Sequence, residues 1–485
     1  MYQRALAGYK KTLGPDHTSN LDTVNNLGLL YADQGKLKEA EEMYQRALAG
    51  YKKTLGPDHT SNLDTVNNLG LLYADQGKLK EAEEMYQRAL AGYKKTLGPD
   101  HTSNLDTVNN LGLLYADQGK LKEAEEMYQR ALAGYKKTLG PDHTSNLDTV
   151  NNLGLLYADQ GKLKEAEEMY QRALAGYKKT LGPDHTSNLD TVNNLGLLYA
   201  DQGKLKEAEE MYQRALAGYK KTLGPDHTSN LDTVNNLGLL YADQGKLKEA
   251  EEMYQRALAG YKKTLGPDHT STLTTVNNLG HFYADQGKLK EAEKMYQQAL
   301  AGWEKALGPD HTSTLDTVNN LGILYAHQGK LKEAEKMYQR ALAGYEKTLG
   351  PGHTSTLNTI NNLRILYTNQ GKLQEAEKMY QRALAGKEKA LGPGHTSTLT
   401  TVNNLGNLYS NQGKLKEAEE IPDHSETRTA ANNLLPLTIL HANQNTPRRT
   451  ATVTPAAPDL LLNTLGGDST KRRRKRDVLY SFLRR

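Results

Sequence analysis

The sequence predicts an all-α fold, an α-solenoid of stacked helical hairpins, and three observations carry that expectation. The ten methionines stand at Met1, Met43, Met85 and onward to Met379, each 42 residues after the last, so residues 1–420 are ten units of one motif. Within a unit the apolar residues recur three and four apart, as on one face of a helix, and the alternation with period two that a strand needs is missing. A glycine stands where each helical stretch should end, Gly35 in "DQGK" and Gly56 in "LGPDH". A repeat of roughly 20 to 50 residues buries its apolar face only against its neighbours, and the result is a solenoid.

The first helix of the unit is expected from about residue 19 to 33, with Leu21, Val24, Leu27 and Tyr31 on one face. Asp16, Thr18 or Ser19 is expected to cap its start, with His17 a turn residue beside that cap. Gly35 ends it, in the left-handed conformation that a helix C-terminus favours. The second helix is expected from about 37 to 55, with Leu37, Ala40, Tyr44, Ala47, Leu48, Tyr51 and Leu55 as its stripe, until Gly56 and Pro57 stop it. Beyond residue 420 the pattern weakens. Residues 421–444 read as a decayed eleventh unit or cap, in which Pro436 interrupts the first helix. Residues 445–485 are rich in Pro, Thr and Gly and read as a disordered basic tail.

Composition narrows the setting. The 485 residues include no cysteine, which excludes a disulfide framework and a thiolate metal site and fits a reducing compartment. No stretch reaches the roughly 18 apolar residues of a membrane span, and the opening "MYQRALAGYKK" lacks the apolar core of a signal peptide. A cytoplasmic protein is expected.

The stretch "VNNLGLLYADQGKLKEAEEMYQRAL" resembles a tetratricopeptide repeat of the 42-residue type, similar to those of kinesin light chains and of the sensor arrays in STAND-type receptor ATPases. Leu27 and Gly28, Tyr31, Gly35, Ala40, Tyr44 and Ala47 hold the places where that family has its leucine and small residue, aromatic, turn glycine, alanine, aromatic and alanine. The resemblance implies a right-handed superhelix whose first helices line a concave groove. It also implies a noncatalytic scaffold that holds peptide segments of partner proteins there. A motor light chain would carry a coiled coil ahead of the array, and none stands ahead of Met1. A receptor ATPase would carry a P-loop, and "QGK" fails it, since Leu37 stands where a hydroxyl is needed and Gly28 lies seven residues before Gly35. No nucleotide is expected. The chain opens on an unpaired second helix, so it is either the C-terminal part of something longer or begins with an imperfect cap. The alternative function is the ligand-sensing array of a STAND-type receptor whose ATPase module lies outside this chain.

Asn25 and Asn26 recur in every unit to Asn403 and Asn404. At about 100° per residue they point away from the seam formed by Val24, Leu27 and Tyr31, and the resemblance places them in the groove with Asp22, Leu29 and Asp33. An amide both donates and accepts, so it can hold the main chain of an extended peptide. It can equally bond to the next hairpin, as a ladder that fixes register. Both readings stay open at the level of sequence. Residues 1–252 are six identical units, which cannot each recognise something different, so selective contacts are expected in the diverged units. The candidate groove residues are Asn277, Asn278, His281, Asn319, Asn320, Asn361, Asn362, Asn403, Asn404 and Asn407. Drift is the competing account of these units, and Arg364 in place of a packing glycine argues for it.

Each identical unit has one more acidic than basic residue, so residues 1–252 carry −6, whereas residues 421–485 carry +6. The charges of "KLKEAEE" read as a solvated face. The run Lys471, Arg472, Arg473, Arg474, Lys475 and Arg476 reads as a solvated tail, a nuclear import signal, or a contact for nucleic acid or an anionic surface. Single equivalents of His17, spaced by packed helices about 8–10 Å apart, are too distant to share an ion whose ligands lie about 2 Å away. No metal and no cofactor is expected. Without cysteine, and without a serine, histidine and acid grouping outside the repeats, neither is an enzyme.

Overall fold

The computed structural model describes residues 1–419; the expected eleventh unit, the tail and the basic run 471–476 lie outside the described residues. Among the described residues there are helices and turns only. A lone helix α1 (Tyr2–Thr12) precedes the first hairpin, which is α2 (Thr18–Asp33) with α3 (Leu37–Thr54). The pair recurs every 42 residues through α20 (Thr396–Asn411) and α21 (Leu415–Glu419), giving hairpins one to ten. Bounds fall within one residue of those expected. Gly35 at φ 70° and Gly56 at φ 90° make the two turns, in a region that side chains with a Cβ rarely enter.

The helix start departs from expectation. His17 itself is the cap: its backbone is extended and its Nδ1 accepts from the Ser19 N–H at 3.3 Å. Asp16 instead pairs with Lys53, and Thr18 and Ser19 are already helical. The imidazole serves because it reaches back as the short side chain of an ordinary cap does, and its acceptor role fixes the proton on Nε2.

Leu21, Val24 and Leu27 meet Ala40, Tyr44, Ala47 and Tyr51, all 5% exposed or less. Leu48 and Leu55 of the expected stripe are only half-buried. Gly50 fills the place they leave, because a Cβ there would lie 2.3 Å from Leu21 Cδ2. Gly28 likewise admits Tyr44, whose Cε1 would stand 2.8 Å from an added Cβ. Each burial of a Leu or Val side chain contributes about 1.5–3 kcal/mol, and these two glycines let the helices approach closely enough to gain it.

The described residues fall into two compact units, 1–317 and 318–419. In the first, the first helices of consecutive hairpins touch one another, which puts them on the inside of the curve. That curve returns on itself. His269, at the start of hairpin seven, is 8% exposed, and its Nε2 stands 3.3 Å from the Asp33 carbonyl of hairpin one, 236 residues away. A Cβ on Gly35 would meet His269 at 3.1 Å and one on Gly77 would meet His311 at 2.8 Å, while Leu307 packs on Leu37. About six hairpins therefore make one turn of the superhelix. In the second unit Tyr338, Ile360, Leu363, Tyr380 and Leu405 form the core.

Candidate functional site

The paired asparagines bond from hairpin to hairpin. The second amide of one hairpin donates to the first amide of the hairpin before it: Asn152 to Asn109 at 3.3 Å, Asn194 to Asn151 at 3.2 Å, Asn236 to Asn193 at 3.3 Å. A threonine joins the same acceptor, as Thr233 does on Asn193 at 3.2 Å. Among the candidate groove residues, Asn278 donates to Asn235 at 3.4 Å and Asn362 to Asn319 at 3.2 Å, while Asn277 accepts from Thr317 at 3.3 Å. Asn319 and Asn320 are 8% and 5% exposed. His281 is buried too, with its ring edge-on to Tyr296 at 5.2 Å.

The last hairpin differs. Arg364 takes the Oδ1 of Asn361 through Nε at 3.0 Å and Nη2 at 2.7 Å, so that acceptor is turned toward its own helix. Asn403 and Asn407 are exposed, Asn404 is half-buried, and the three have no hydrogen bond among the described residues. Among the described residues the structure thus engages Asn277, Asn278, Asn319, Asn361 and Asn362 with protein and gives Asn403, Asn404 and Asn407 no hydrogen-bond partner.

Arg364 is accommodated. Its guanidinium carbon lies 4.7 Å from the centre of the Tyr380 ring and Nη1 donates to the Tyr380 hydroxyl at 2.7 Å. Stacking of this kind is worth about 0.5–2 kcal/mol, which offsets the lost close approach. Lys387, standing where most other hairpins have tyrosine, donates to Thr401 Oγ1 at 2.8 Å and to the Ser397 carbonyl at 3.2 Å. Burial, and then the charge of Arg364, push its ammonium below the ordinary lysine range.

Three contacts were not foreseen from the sequence. Tyr51 donates to Asp22, and the same pair recurs as Tyr93 with Asp64, Tyr135 with Asp106 and Tyr177 with Asp148. Both partners stand 29 residues apart in every identical unit, and that spacing was the available signal. Glu41, read as part of a solvated face, accepts from Tyr73 at 3.3 Å, Gln76 at 3.1 Å and Lys78 at 3.2 Å of the next hairpin. Asn104 is fully buried and donates to the Leu90 carbonyl at 3.2 Å, but its own Oδ1 has no donor.

Among the described residues no group of three or more His, Asp or Glu side chains converges as a metal site, and no helix is long and apolar enough to cross a membrane.

The family model of the tetratricopeptide repeat matches the chain in overlapping stretches from residue 1 to residue 425. Among solved structures the chain is similar to a putative kinesin light chain with nearly identical TPR-like repeats from Podosopora anserina, 31% identical over 42% of this chain and 97% of that one, with a TM-score of 0.35. It is similar to BtubC (BKLC) from P. vanneervenii, 23% identical over 53% of this chain and 99% of that one, with a TM-score of 0.41. It is also similar to a STAND protein with a tetratricopeptide repeat sensor from Pyrococcus horikoshii, 13% identical over 81% of this chain and 54% of that one, with a TM-score of 0.46. No curated protein matches the sequence.

Proposed function

Because the chain belongs to the tetratricopeptide repeat family, whose arrays generally bind other proteins, we propose that it is a noncatalytic, cytoplasmic scaffold that holds extended segments of partner proteins on the inner face of its hairpins. The observation that supports this reading is the set of amides in hairpin ten, Asn403, Asn404 and Asn407, that have no hydrogen bond among the described residues. An amide free on both sides offers a donor and an acceptor to a main chain.

The test compares the full chain with the variant Asn403→Ala, Asn404→Ala, Asn407→Ala as baits, followed by calorimetry with purified segments of whatever the full chain retains. Each lost hydrogen bond is worth roughly 0.5–1.5 kcal/mol, so the three losses together are expected to weaken binding of such segments by about tenfold to a thousandfold. Equal affinity would remove hairpin ten from the groove.

A further inference from the structure

One line of side chains on the inner face serves neither the ladder nor the core. Asp22, Asp64, Asp106 and Asp148 recur once per hairpin, and each accepts a tyrosine hydroxyl. None of the four has an ion pair among the described residues. All four keep more than a third of their surface open to water. Even so, burial pushes the carboxyls of Asp106 and Asp148 up, the charge of Asp64 adds to the rise at Asp106 and that of Asp106 to the rise at Asp148, while the tyrosine hydrogen bonds and His101, His143 and His185 act in the opposite sense. Groups that are open to water and yet crowded by protein line a concavity. Successive members share one field, since the Tyr93 hydroxyl feels both Asp64 and Asp106, and that of Tyr135 both Asp106 and Asp148.

A second observation points to a ligand. Asn152 and Asn236 lie one helical turn beyond Asp148 and Asp232, on the same face. They are 4% and 1% exposed, and their Oδ1 atoms accept nothing. Between them Asn193, fully buried, has an Nδ2 that donates to nothing. Carboxylates beside orphan carbonyls call for a cation rich in N–H groups, and an orphan amide N–H calls for a carbonyl. A basic peptide supplies both.

We propose that this aspartate line binds the chain's own basic run, residues 471–476. Charge complementarity selects the occupant: residues 1–252 carry −6 and residues 421–485 carry +6, with six consecutive cations in the run. Six extended residues span about 20 Å, the length of two or three hairpins at about 8–10 Å each. The inner face is then held by its own tail until a more strongly bound basic segment displaces it. The inference rests on reading that face as a segment-binding surface, and its test needs no partner protein, so either can fail alone.

The test uses full-length chains. One variant replaces the six cations of 471–476 by glutamine; a second adds Asp64→Asn, Asp106→Asn and Asp148→Asn, which still accept the tyrosine hydroxyls. The probe is a labelled synthetic peptide of residues 469–485, followed by fluorescence anisotropy at low salt, where such contacts are least screened. The glutamine variant is expected to bind the peptide at least about tenfold more tightly than the wild type, and the added asparagines are expected to abolish that gain. Equal binding by wild type and glutamine variant would overturn occupancy by the tail. Binding indifferent to the asparagines would overturn the site. In the unaltered protein, carbodiimide is expected to link Lys471 or Lys475 to Asp64, Asp106 or Asp148, and links confined to other carboxylates would also overturn it.

Discussion

Hairpin three and hairpin nine are built on one motif and solve the same contacts with different side chains. In hairpin three Gly112 lets Tyr128 approach, with an added Cβ only 2.7 Å from the ring; in hairpin nine Arg364 lies over the Tyr380 ring instead. Hairpin three joins Tyr135 to Asp106. Hairpin nine has Lys387 and Asn358 at those places, and hairpin seven has Trp303 and Thr274. Hairpin three buries Asn104 with an acceptor left over, whereas hairpin nine has Thr356, whose hydroxyl donates to the Gly350 carbonyl at 2.7 Å. In hairpins seven and nine the tyrosine and the aspartate are both replaced. Unconstrained change would more often remove one and strand the other, at about 1–3 kcal/mol for a buried group. The diverged hairpins therefore read as repacked.

The ladder is the contact the two regions share, and it carries the largest expected effect. Asn193→Ala in the identical region and Asn319→Ala in the diverged region each strip the acceptor from a buried asparagine amide, while the threonine beside it keeps a carbonyl of its own helix. Each is expected to lower stability by about 1–3 kcal/mol, only partly offset by alanine's better helix propensity of at most about 0.7 kcal/mol. Asn403→Ala should leave stability unchanged or slightly raised. Urea midpoints for the three variants decide it, and a similar loss for all three would mean that the ladder bonds are not what stabilises these sites.

Next in size is the tyrosine and aspartate pair. Tyr135→Phe removes the donor from Asp106, which stays partly open to water, so the expected loss is about 1 kcal/mol. The double change Asp106→Thr with Tyr135→Trp copies hairpin seven. It is expected to lose less than the sum of its single changes, a coupling that a double-mutant cycle reads directly. Strict additivity would show that the two positions change independently.

The smallest effect is a gain. Asn104→Thr copies hairpin nine and removes the orphaned acceptor, so the melting temperature is expected to rise by the equivalent of about 0.5–1 kcal/mol. A fall would mean that the Asn104 bond to the Leu90 carbonyl outweighs the orphan.

Much of the site was legible, though not its assignment. The ladder was one of two readings of Asn25 and Asn26, and residue types could not choose between them because an amide suits a peptide and a neighbouring hairpin equally. The aspartate and tyrosine pair is not legible in the sequence because Tyr51 fits the apolar stripe, and the local pattern does not say which side chain its hydroxyl meets. Residue type points away from His17 as the cap, since asparagine, serine and aspartate more often fill that role.

What the sequence by itself determined is whatever depends on a few neighbouring residues: the 42-residue period, helices bounded to within a residue, turns at Gly35 and Gly56, and the stripe from Leu21 to Tyr51. Tertiary structure decided what identical letters experience. Asn26 is exposed, Asn110 half-buried and Asn194 3% exposed, though their local sequences are the same. His17 is exposed while His269, in the same "GPDH" turn, is covered by a hairpin 236 residues away. Curvature accumulates from small rotations between hairpins, so a residue meets its distant neighbours only after about six of them have been added. No window of sequence contains that sum.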